Sequence, residues 1–180
     1  MLQKLIMINL KNNLKVLMLP VSLILVLSFS RLIPHPYNFT PILAVGVFGG
    51  FYFKNYILSL FIVIISMFVG DLVIGFHNTM FFTYSALAIA TGIGMLIKKL
   101  NFKEIVLSGF ASSVIFFLIT NFGSWLTMAM YEKSFSGLLQ SYIMGIPFFH
   151  NTLLSTLIYL FVLKFTLEFA KKKKLFNFST

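Results

Sequence analysis

Three groups of polar side chains interrupt an otherwise apolar chain, and their types suit the capture of a small solute. The first group is Arg31, His35, Tyr37, Asn38 and Thr40, set among Pro34, Pro36 and Pro41. The second is Asp71, His77 and Asn78, and the third includes Asn121, Trp125, Tyr142, His150 and Asn151. A guanidinium and a carboxylate orient charge on a ligand, imidazoles and amides hydrogen-bond it, and indole and phenol rings stack on it. The expected binding set is therefore Arg31 and Asp71 for charge, His35, Asn38, Asn121 and Asn151 for hydrogen bonds, and Trp125 and Tyr142 for stacking. A largely apolar pocket with a few converging polar groups is the usual form of a small-molecule site.

The same residues are open to other chemistry. His35, His77 and His150 with Asp71 would suit zinc, nickel or cobalt if they converged. Their spacing forms no local ligand motif, so neither a metal site nor a cofactor is expected. Any of these four as acid or base would make a membrane enzyme acting on lipid-linked substrates. No P-loop, dinucleotide fingerprint, nucleophile elbow or zincin motif is present, so the chain is expected not to be an enzyme, and energy for transport would come from a partner or a gradient. The absence of cysteine excludes thiol catalysis and disulfides. Structural roles compete at each position: an ion pair for Asp71 and Arg31, an interfacial aromatic belt for Trp125, Tyr131 and Tyr142.

The elements that must position these residues are membrane helices. Only 10% of the 180 residues are charged and 59% are hydrophobic, against about 25% charged in a soluble domain. A water-soluble core cannot hide that much apolar surface, so the solvent is lipid. The apolar runs predict six spans, at 16–30, 41–53, 56–76, 80–97, 105–120 and 148–170, within one all-α transmembrane domain over 16–170. Residues 1–15 read as an amphipathic cytoplasmic lead-in and 171–180 as a basic cytoplasmic tail. The second span is short and glycine-rich, which calls for tilt, a break or shielding by neighbours. The stretch 121–147 reads as the longest connection, with a short interfacial helix over 135–144 ended by Gly145 and Pro147. The positive start and first apolar run read as an uncleaved span, since Ser28-Phe29-Ser30 is a poor cleavage site and Arg31 follows directly.

Charge sets the expected orientation. Six spans put twelve lysines on one face (Lys4, Lys11, Lys15, Lys54, Lys98, Lys99, Lys103, Lys164 and Lys171 to Lys174) and only Arg31 and Lys133 on the other. By the positive-inside rule, both termini are cytoplasmic and the protein is a multi-pass component of the cytoplasmic (inner) membrane. The net charge of +10 then marks the inner face and anionic lipid headgroups rather than nucleic acid. All three histidines, the arginine and the tryptophan fall outside. Asp71 lies sixteen residues beyond Asn55, about 24 Å up a helix, in the outer part of a hydrocarbon core about 30 Å thick. An ionised carboxylate there costs about 1–3 kcal/mol unless paired, and Arg31 is the expected partner.

The order of these features resembles a known family. Arg31-Leu-Ile-Pro-His-Pro-Tyr-Asn-Phe-Thr-Pro41, Phe48-Gly49-Gly50, Gly70-Asp71 ending the third span, Thr120-Asn-Phe-Gly-Ser-Trp125 and the run from Gly137 to Thr152 are similar to the substrate-binding S components of energy-coupling-factor (ECF) vitamin transporters. More closely, they resemble an uncharacterised family of small bacterial membrane proteins related to these. The resemblance implies a six-helix S-component-like fold, capture of a vitamin-like or other polar solute from outside, and a transmembrane coupling subunit with ATPases as partner. Two departures stand out. The spaced alanines by which an S component docks are replaced by Ser22, Val26 and Ser30, and Leu2 stands where the cobalt and nickel branch has histidine. The leading expectation is a transporter subunit binding a small solute at its outer face. The alternatives are a non-catalytic organiser of the envelope and, last, the lipid-directed enzyme.

Overall fold

Prolines, one glycine and two asparagines punctuate the apolar runs, and each run between them is a helix. The computed structural model describes residues 22–172. Among the described residues there are six helices: α1 (Ser22–Leu32), α2 (Ile42–Phe53), α3 (Tyr56–Ile74), α4 (Met80–Leu96), α5 (Phe102–Thr127) and α6 (Phe135–Lys172). Asn55 and Asn101 start α3 and α5 by accepting from the backbone N–H of Leu58 and Glu104 at 3.0 and 2.9 Å, which satisfies donors a helix start leaves orphaned. Gly75 stops α3 with φ of 110° and donates its N–H to Asp71 O at 2.9 Å, a conformation few residues but glycine adopt. Lys54 ends α2, and its ammonium donates to the carbonyls of Met95 and Ile97 at the end of α4, where a cation meets the negative end of the helix dipole.

The short helix α2 is the hub. Every residue from Ile42 to Gly50 is buried, and α3, α4, α5 and α6 all pack on it. This shielding is how so short a segment sits inside the bundle. The closest approach is to α4: a Cβ at Gly50 would strike the carbonyl of Thr91, and one at Gly94 would strike the carbonyl of Val47. Glycines let the two backbones touch, and dispersion then acts over the whole contact. Around this hub α3, α4, α5 and α6 follow one another in chain order, while α1 packs on α3, with Ser28 Oγ donating to Ser66 O at 3.2 Å.

The polarity of the bundle is inverted relative to a soluble protein. Buried positions hold many small hydroxyls, among them Ser66, Thr91, Ser113 and Thr156, each donating to the carbonyl four residues earlier and so needing no water. Phe61, Phe81, Phe110, Leu154 and Phe165 face outward. Helices α3, α5 and α6 are long and apolar enough to cross a membrane, and α1, α2 and α4 are shorter apolar helices. These are the features of a membrane protein.

The third run, expected over 56–76, is α3, which passes Gly70 and Asp71 and ends at Ile74. Two sequence expectations change. The stretch 121–147 is not a long connection: α5 runs to Thr127 and α6 begins at Phe135. Residues 135–144 form the first turns of α6, a continuous 38-residue helix that contains Pro147 and is about 57 Å long. Proline leaves the carbonyl of Ile143 without its helical donor, but the helix persists because α5 braces it just before the proline. Tyr142 donates its hydroxyl to Leu118 O at 3.1 Å, and Gly145 lies against the Asn121 amide. The lead-in 1–15 and the start of the first span lie outside the described residues, as does the tail beyond Lys172.

Candidate functional site

The last turn of α1 carries Arg31 across α3. Its guanidinium passes over Gly70, where a Cβ would collide with it, and Nη1 donates to Met67 O at 2.8 Å. Nη2 lies 2.7 Å from Asp71 Oδ1. The other carboxylate oxygen accepts a 2.6 Å hydrogen bond from Tyr84 of α4. The Asp71 side chain is 0% exposed and that of Arg31 is 14% exposed, so the ion pair is enclosed on the carboxylate side and open on the guanidinium side. Three helices meet in this one contact. Sequence reasoning paired Arg31 with Asp71 but missed Tyr84, whose signal was a phenol placed inside an apolar run, where its hydroxyl needs a partner.

The open side of Arg31 faces a cavity of about 360 Å³, within the range of small-molecule sites. The loop from α1 to α2 contributes His35, Tyr37, Asn38 and Thr40; His77 and Thr79 come from the turn before α4, and Thr83 from its first turn; Thr120 and Ser124 come from α5. Met67, Ile74, Ile42 and Phe116 supply apolar wall. A smaller space of about 30 Å³ adjoins it, sharing Asn38, Thr40, Ile42 and Phe116 and reaching Thr152 and Ser155 of α6.

A tight turn holds the loop. Phe39 N–H donates to Pro36 O at 2.9 Å and Asn38 has φ of 60°, the left-handed value required at the third position of a type II turn and tolerated by asparagine. Helix α6 clamps the turn from the side: Asn151 Nδ2 donates to Tyr37 O at 3.0 Å, Ser155 Oγ donates to Asn38 O at 3.4 Å, and the Tyr37 and Phe148 rings meet edge to face. His35 Nδ1 sits 2.8 Å from Pro36 O, and since a carbonyl oxygen only accepts, Nδ1 is the nitrogen that donates. His77 Nδ1 sits 2.8 Å from Thr79 Oγ1.

Residues 11–177 match the model of a family of unknown function, DUF6580. The chain belongs to that family. No curated protein and no solved structure matches the chain.

Of the eight residues singled out from the sequence, this DUF6580 chain gathers Arg31, His35 and Asn38 at the cavity, with Asp71 directly behind Arg31. Asn151 sits one layer out, holding the loop. Asn121, Trp125 and Tyr142 do not line the cavity. They join α5 to α6 and to the turn between them: Asn121 bonds Phe117 O of its own helix, Trp125 Nε1 donates to Glu132 O at 2.8 Å, and Tyr142 bonds Leu118 O. The polar lining residues missed from the sequence are Thr79 at the cap of α4, Thr83 in its first turn, and Thr120 and Ser124 on α5. Each pair has i, i+4 spacing on one helix face. The second pair was hidden because Ser124 was assigned to a connection. His150 lies on exposed α6 surface beside Phe149, and no three His, Asp or Glu side chains among the described residues form a metal-sized group.

Proposed function

We propose that this protein is the solute-binding subunit of a membrane transporter, an S-component-like protein of the cytoplasmic membrane. It spans the membrane six times with both termini cytoplasmic, and it takes a small vitamin-like or other polar solute from the outer face for uptake. The observation that carries this reading is the cavity under the loop from α1 to α2, where a guanidinium, two imidazoles, an amide and several hydroxyls converge on an apolar floor. The twelve-to-two division of basic residues supports the orientation, with the cavity on the lysine-poor side. The chain offers no nucleotide-binding motif, so energy comes from a coupling subunit with ATPases or from a gradient.

Asp71 bonds Arg31 and Tyr84 rather than a histidine, an arrangement that favours holding a ligand over general acid–base chemistry. The test is purification of the protein in detergent from its native host, followed by mass spectrometry of co-purifying small molecules. A stoichiometric solute that is lost on Arg31→Ala is the expected result. A preparation carrying phospholipid alone would overturn the reading in favour of an envelope-organising role.

A further inference from the structure

The charge lining the cavity is one-sided. Among the described residues, the lining holds Arg31 and two histidines and no carboxylate. Asp71, the partner of Arg31, is wholly enclosed behind the guanidinium and shared with Tyr84. The ion pair is thus a fixed dipole with its positive end toward the cavity. Arg31 has five N–H donors. Among the described residues its bonds are to Met67 O and Asp71, so donors remain for a ligand.

The backbone adds to this sign. Helices α2 and α4 both start at the cavity wall, at Ile42 and beside Thr79, and neither has a side-chain cap. At the opposite end of the bundle α3 and α5 begin with asparagine caps. First-turn N–H groups and the positive end of the helix dipole favour anions. The side chains of Thr40, Thr83 and Asn38, which also line the cavity, form no hydrogen bond among the described residues and can donate. On the far wall Thr120 and Ser124 donate into their own helix, so they present lone pairs.

Resting on the solute-binding reading above, we infer that the solute is a small organic anion. Its carboxylate or phosphate group sits between Arg31 and the starts of α2 and α4, and its O–H or N–H groups point toward α5. An amine of the same size would meet the positive end of the ion pair and of two helices, and is excluded.

The experiment uses the full chain in detergent micelles and a library of size-matched carboxylates, phosphate monoesters, neutral amides and primary amines, with retained compounds identified by mass spectrometry. Retention of carboxylates or of phosphate esters supports the inference, and the arm that is retained names the headgroup. Retention of amides or amines without anions overturns it while leaving solute binding standing. Retention of nothing overturns both. For a retained anion, the double variant Arg31→Gln with Asp71→Asn removes both charges together, and Kd weakens about ten- to hundredfold. Thr83→Val, which changes one hydroxyl on the cavity wall, weakens the same anion about fivefold. An unchanged Kd in Thr83→Val together with an unchanged Kd in a folded double variant overturns the assignment.

Discussion

At the scale of single residues, the contact among Arg31, Asp71 and Tyr84 ties three helices together and stands directly behind the proposed binding site. A buried ion pair contributes little net stability, but breaking it leaves an uncompensated charge. Asp71→Ala is therefore expected to cost about 3 kcal/mol, read as a lower unfolding temperature in detergent, whereas Arg31→Met combined with Asp71→Leu costs less than either single change. Tyr84→Phe removes one hydrogen bond to a carboxylate and costs about 2 kcal/mol. Asn38 separates backbone from side chain. Asn38→Gly keeps the left-handed turn and removes the amide, so it is expected to lower affinity for the proposed solute with the fold intact. Asn38→Ala strains the turn and lowers stability by about 1 kcal/mol. Equal unfolding temperatures for the two variants would refute the role given to the turn.

At the scale of elements, the contact between α2 and α4 sets the architecture. Gly94 and Gly92 are two residues apart on α4 and face different surroundings. A side chain at Gly94 would run into the α2 backbone at Val47, while one at Gly92 would meet only the Tyr56 ring at 3.9 Å. Gly94→Ala is expected to destabilise the protein by about 1–3 kcal/mol. Gly92→Ala is expected to be neutral or stabilising by up to about 1 kcal/mol, since alanine is the better helix former. Thermal unfolding of the two variants side by side checks this. The other structural joint is the pairing of α5 with the start of α6, where Asn121, Trp125 and Tyr142 are used. That is why these three polar residues are not at the cavity.

At the scale of the whole molecule, the bundle has two chemically different ends. The turns 75–79 and 33–41 border the polar cavity, and the turns at 54–55 and 97–101 carry lysine and the asparagine caps. The chain contains no cysteine, so single cysteines report position without background. Asn78→Cys in intact cells is expected to react with a membrane-impermeant maleimide. Lys99→Cys is expected to react only after permeabilisation. The reverse pattern would place the cavity on the cytoplasmic side and remove uptake from outside as its purpose.

What the sequence determined by itself is what depends on local composition. Apolar runs bounded by proline, glycine and lysine became helices close to the expected limits at 42–53, 56–74 and 80–96, because in lipid each segment must satisfy its own backbone hydrogen bonds. The pairing of Arg31 with Asp71 was legible as well, since an isolated charge in hydrocarbon demands a partner and few were on offer. Convergence was not legible. Which polar residues share a cavity depends on how helices rotate about their axes and where their backbones touch, and the glycines of α2 and α4 fix that through contacts distant in sequence. The same limit explains Pro147 and Trp125. Alone, the proline breaks a helix and the indole suits a stacking site. The packing of α5 on α6 carried the helix through the first, and the turn between these helices gave the second the Glu132 carbonyl to bond.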